Sequence, residues 1–189
     1  MSTAQVVEHR VAPYFEIEPF MVMSQETRLG GASLERLANL WEAWVPLLRV
    51  CEVKTGDASH LAVWLPESVE ADVDGTWVQS PSEGWLHNNL ARYLCMSAIQ
   101  ELLPEVEEGG CAPAPDPTPE LREALAAQGL PYKTNADTLA LRYAMVTNYP
   151  YRGGCEICHL LPQCPKGRGD GELGIVLPGH EREPDGSEK

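Results

Sequence analysis

Three cysteines late in the chain carry the chemistry most readily read from side chains alone. Cys155, Cys158 and Cys164 stand in a C-x2-C-x5-C array inside the run GGCEICHLLPQCP, residues 153–165. Thiolates at this spacing can converge from one short turn onto a single metal centre. A fourth ligand is then needed, and Cys111 is the best placed of the other three cysteines. It stands in a Gly/Pro-rich stretch, EVEEGGCAPAPDPTP, that can reach back over the array. Cys95 falls in a predicted central helix and Cys51 at the end of an apolar run, so both read as small buried hydrophobes. His159 directly follows Cys158 and is expected to point away from it. Arg152, Lys166 and Arg168 flank the array in an otherwise acidic chain, where positive charge offsets that of ligating thiolates.

The expected ligand set is therefore Cys155, Cys158, Cys164 and Cys111, and the expected group a [4Fe–4S] cluster. Four-cysteine zinc sites usually show two C-x2-C knuckles, and only one is present here. Cluster ligation accepts three local cysteines with a remote fourth, and Pro165 after the last cysteine resembles the bacterial ferredoxin arrangement. Structural zinc is the first alternative. Haem c is the second, because Cys155-Glu156-Ile157-Cys158-His159 matches C-x-x-C-H, with His159 as proximal ligand and Met145 or another histidine opposite. Covalent haem attachment belongs outside the cytoplasm, and it leaves Cys164 unused.

Two family resemblances attach to these residues. The C-x2-C-x5-C spacing resembles the last three ligands of the cluster loop in the endonuclease III family. That family has a further cysteine seven residues earlier, where this chain has Asn148, and no helix-hairpin-helix glycine motif accompanies the array. The chain is also similar to RecB-like nucleases with an iron–sulfur staple. Glu52-Val53-Lys54 stands for the E-x-K strand, and Asn89 with Tyr93 for the Q-x3-Y helix, before C-terminal cysteines. It departs from them in having no aspartate in residues 1–56 and no remote cysteine ahead of that strand. A hydrolytic metal centre needs converging carboxylates, so nuclease activity is not expected.

Composition narrows the partners. A formal net charge of −14 opposes a general nucleic-acid or anionic-membrane surface, both of which need a basic footprint. A protein partner, redox or regulatory and basic in character, fits better. Residues 1–30 show no secretory pattern, and no apolar run is long enough to span a bilayer, so the expected compartment is the cytoplasm. There six cysteines are more often thiols or metal ligands than disulfides. The chain carries no phosphate-binding glycine loop, G-x-S-x-G elbow or H-E-x-x-H motif, and nothing argues for an enzyme. The role expected is that of a metal-binding accessory protein.

The elements that must position the cysteines predict an α+β fold, mainly helical, with about five helices, two to four short strands and a cysteine-pinned C-terminal lobe. Its parts divide as a helical core (1–107), a connector (108–119), C-terminal helices with the metal lobe (120–178) and a polar tail (179–189). Residues 14–23 alternate loosely and predict an edge strand. Leu34, Leu37, Trp41, Trp44 and Leu48 predict a helix from Ser33, ended or kinked by Pro46. Leu61–Leu65 predicts a strand, and Pro66 opens a segment with Val69, Val73 and Trp77 on one face. Ser80-Pro81-Ser82-Glu83 is a capping box opening a central buried helix to about Leu103. Thr118-Pro119 starts a short helix closed by Gly129, a further helix is expected from Asn135 or Asp137 to about Thr147, and Gly174–Leu177 predicts a last strand.

Overall fold

The protein is described by a computed structural model covering residues 4–109 and 111–164. Strand β1 (Gln5–Glu8) opens it, followed by helices α1 (Ile17–Ser24) and α2 (Gly31–Trp44) and a 3₁₀ turn at Val45–Leu47. Strands β2 (Arg49–Thr55) and β3 (Ala58–Trp64) form a hairpin. Helices α3 (Glu67–Gln79), α4 (Pro81–Leu102), α5 (Glu105–Gly109) and α6 (Pro119–Ala127) precede strand β4 (Ala144–Asn148). The fold is α+β, with four antiparallel strands in the order β1-β2-β3-β4.

Gly56, at a φ of 59°, opens the two-residue turn of the hairpin, a position where a side chain is strained. Pairing of Thr55 with Ala58 then fixes the register, which sets Glu52 between Val7 and Leu61 and leaves Thr147 beside Leu61. Side chains alternate, so β2, β3 and β4 each serve two cores. Val50, Leu61 and Val63 join the larger one, with Phe20, Trp41, Trp44, Leu90 and Leu94 from the helices. Cys51, Val53, Ala62 and Val146 face Leu121, Leu125 and Leu130 of the α6 region on the other side. The sheet is thus covered on both faces.

Half of the expected capping box forms: Ser80 caps the helix, whereas its own N–H bonds Thr76 O at 2.8 Å and the Glu83 carboxylate turns to Arg36 at 2.6 Å. Ser80 Oγ accepts the Glu83 N–H at 3.4 Å, with Pro81 in the first helical position. Thr118 caps α6 in the same way through the Leu121 N–H. Helix α3 carries Val69 and Val73 inward and packs along α4 at Gly84, where an added Cβ would lie 2.6–2.8 Å from Trp77, including its backbone. Gly84→Val should therefore cost about 1–3 kcal/mol through overpacking. A thermal melt unchanged within error would show that the two helices are not held this closely.

Three sequence expectations need correction. Residues 14–23 are not a strand: Ile17–Ser24 is helix α1, which places Pro19 in the first turn, where its missing N–H costs nothing. Phe20 and Ser24, four residues apart, form its buried face. The helix expected over 135–147 is absent. Residues 131–140 fold back on themselves, with Lys133 N–H to Thr138 O at 2.9 Å and Ala140 N–H to Pro131 O at 2.8 Å, and Ala144–Asn148 becomes β4. An open edge of β3 won over a local helical spacing, as tertiary pairing often does. The stretch 105–109, expected as connector, is helix α5. The strand expected at Gly174–Leu177 and the polar tail lie outside the described residues.

Candidate functional site

The array hangs directly from the sheet. Tyr149 continues the β4 ladder by donating its N–H to Ser59 O at 2.9 Å. Gly153 then turns the chain with a φ of 54°, and the Gly154 N–H bonds Glu156 Oε1 at 2.8 Å, which holds the Glu156 carboxyl below its ordinary range. Two single 3₁₀ turns follow, Cys155–Ile157 and Leu161–Gln163. Cys155 is exposed, while Cys158 and Cys164 are half-buried.

The connector that carries Cys111 lies against this segment on both sides of that cysteine. Two residues before it, Gly109 faces the Tyr151 side chain closely enough that a Cβ would meet the hydroxyl at 2.8 Å. Three residues after it, Ala114 donates its N–H to Cys158 Sγ at 3.4 Å and accepts the His159 N–H at 2.9 Å. Backbone N–H groups on sulfur are among the contacts that tune iron–sulfur ligands. Thr147 Oγ1, fully buried, donates to Pro113 O at 2.9 Å and ties the same connector to β4. Cys111 itself is half-buried.

The other two cysteines are committed elsewhere. Cys95 Sγ donates to Tyr143 O at 3.5 Å, and burial pushes its thiol up to about 12. Cys51 packs beneath α6, where burial, then the charge of Glu8, push its thiol up to about 11. Thiols held protonated this strongly make poor metal ligands. Among the described residues no three His, Cys, Asp or Glu side chains are gathered closely enough to form a metal-ligand group.

His159 turns to carboxylates. Its Nδ1 lies 3.7 Å from Asp116 and its Nε2 3.5 Å from Asp137. Asp137 also pairs with Arg122, whose guanidinium lies 4.6 Å above the Tyr132 ring. His159 and Met145 line a cavity of about 230 Å³.

The residues resembling a nuclease centre go to different surroundings. Glu52, nearly buried on β2, accepts the Ser59 hydroxyl at 2.6 Å and lies 3.3 Å from Lys54 Nζ and 3.7 Å from His9 Nε2. The Ser59 hydrogen bond, followed by Lys54 and His9, holds the Glu52 carboxyl below its ordinary range despite burial. Tyr93 instead packs with Phe15, Phe20 and Trp41, and the Asn89 amide donates to Trp85 O at 2.9 Å within its own helix.

No helix among the described residues is long and apolar enough to cross a membrane. The chain matches no protein-family model, no curated protein and no solved structure. The sequence reading missed the Glu52–His9–Ser59–Lys54 cluster and the Asp116–His159–Asp137–Arg122 network. In the first, the Glu52-Val53-Lys54 triplet and Ser59 are local, and only the approach of His9, brought in by strand register, had no sequence signal. The second joins distant residues through a loop contact, and no local spacing announces it.

Proposed function

We propose that the chain is a metal-binding accessory protein in which Cys155, Cys158, Cys164 and Cys111 ligate one [4Fe–4S] cluster, serving electron transfer, redox sensing or structural stapling. The observation that carries the reading is the connector held against the array by Gly109 on one side of Cys111 and by Ala114 on the other. Three residues of chain span at most about 11 Å, so Cys111 stays within a short reach of Cys158. The burial and raised pKa of Cys51 and Cys95 leave the other four as the available cysteine ligands.

Ligation has to draw the four sulfurs together. The elements concerned are single 3₁₀ turns, short and poorly bonded, and therefore inexpensive to reshape. The shell beyond the sulfurs includes the Ala114 N–H on Cys158 and the charge of Arg152 beside the turn.

The test is anaerobic purification followed by absorption spectroscopy and metal and sulfide analysis. Broad visible absorption bleached by dithionite, with iron and sulfide in equal amounts, is the expected result. A colourless protein loaded with zinc, or a sharp Soret band, would overturn the cluster in favour of zinc or haem. A protein holding no metal after reconstitution with iron and sulfide would end the metal reading altogether.

A further inference from the structure

We infer that the groove between α1, the C-terminal half of α4 and α5 docks a basic, amphipathic segment of a partner protein. The groove is large, about 1,040 Å³, and its floor is apolar, built from Met23, Tyr93, Met96 and Val106. Val22 is 80% exposed although it sits on a helix face beside the groove, and Tyr14 at the mouth is 84% exposed. Both line the groove beside its apolar floor, and it is a contiguous exposed apolar patch that marks an interaction site.

Charge decides what covers the floor. Four carboxylates line the groove, Glu16, Glu18, Glu101 and Glu107, and no lysine, arginine or histidine accompanies them among its described lining residues. Glu101 is fixed in place by accepting the Ala12 N–H on both oxygens, at 3.3 and 3.1 Å. An acidic ring around an apolar floor repels acidic chains and nucleic acid, and it draws in a segment whose lysines or arginines flank apolar anchors. Two methionines in the floor suit this use, because their unbranched side chains adapt to anchors of different shape. The geometry is that of a helix laid in a groove, read through residues at i, i+3, i+4 and i+7.

Helix α5, which supplies Val106 and Glu107, ends at Gly109, two residues before Cys111. A docked segment therefore lies beside the candidate metal centre. That placement rests on the metal reading, whereas the docking itself does not.

The probe is a fluorescein-labelled amphipathic peptide of leucine and lysine, titrated with the full chain and followed by fluorescence anisotropy. Saturable binding that weakens with salt is expected. The double change Glu16→Lys and Glu18→Lys should weaken it at least about tenfold, roughly 1.4 kcal/mol, and Val22→Asp should do the same. Glu35→Lys with Glu42→Lys, an equal charge change on exposed positions of α2, should shift it less than about twofold, since surface charges away from an interface act only through a screened field. Circular dichroism of each variant checks that it is folded.

The inference is overturned by an absence of saturable binding, by equal losses from the α2 and groove reversals, or by equal affinity for a peptide with serine in place of leucine. Serine at Cys155, Cys158 and Cys164 should leave the affinity unchanged. Failure of docking and failure of metal binding thus register in separate measurements.

Discussion

Trp44→Ala is expected to lower the free energy of unfolding by about 3–5 kcal/mol, the range for removing a buried tryptophan. Trp44 ends α2 with 2% of its surface exposed, and its indole meets the His87 ring edge-on at 6.3 Å. His87 is held below its ordinary pKa chiefly by its own burial. Deletion leaves a cavity between two helices that already carry the main core, and such a cavity collapses poorly. With domain stabilities of about 5–15 kcal/mol, the variant should be marginal. Urea unfolding followed by circular dichroism should show a lower midpoint at an unchanged slope. Trp85→Ala, at a position 41% exposed, should cost distinctly less. Equal losses at the two positions would show that Trp44 is not the buried anchor described above.

Simultaneous replacement of Cys155, Cys158 and Cys164 by serine should abolish bound metal, the largest functional effect expected of any change in the chain. A serine oxygen is a hard, weakly acidic donor and a poor substitute for a thiolate on iron or zinc. Cys111→Ser should reduce metal content on its own. Cys95→Ser should leave the stoichiometry intact while costing stability, because Cys95 is enclosed in the core at 1% exposure. Metal analysis and the visible spectrum of the four proteins decide the matter. Unchanged stoichiometry in the triple variant would remove the cysteine centre from consideration. Loss of metal from Cys95→Ser with retention in Cys111→Ser would move the fourth ligand into the helix.

Legibility in the sequence followed the range of the forces involved. Ser80 with Glu83, and Thr118 with Pro119, announce helix starts because capping is settled within four residues. The strand around Leu61–Leu65 and the helix after Pro66 were visible for similar local reasons. By contrast, β4 was misread because Leu139, Tyr143 and Val146 satisfy a helical spacing. Its partner on β3 lies more than 80 residues away, with Val63 opposite Met145. Helix α1 was misread because Glu18 and Pro19 break the apolar pattern on the face that water reaches. As for the candidate site, the spacing of Cys155, Cys158 and Cys164 was legible outright. The approach of the Cys111 connector was legible only as flexibility, since no pattern predicts that Ala114 bonds Cys158 and His159.

The register of the sheet also orders events in time. The hairpin of β2 and β3 closes across two residues and can form within about microseconds. Strand β4 must wait for the return of a chain that has meanwhile built α3, α4, α5 and α6. Contacts of such long sequence separation form late, because the entropy of closing the loop is lost before the pairing repays it. On a ribosome β3 is free of its final neighbour until almost the whole described chain has been made. The cysteine array, which follows β4 directly, gains its anchorage to the sheet only in that last pairing.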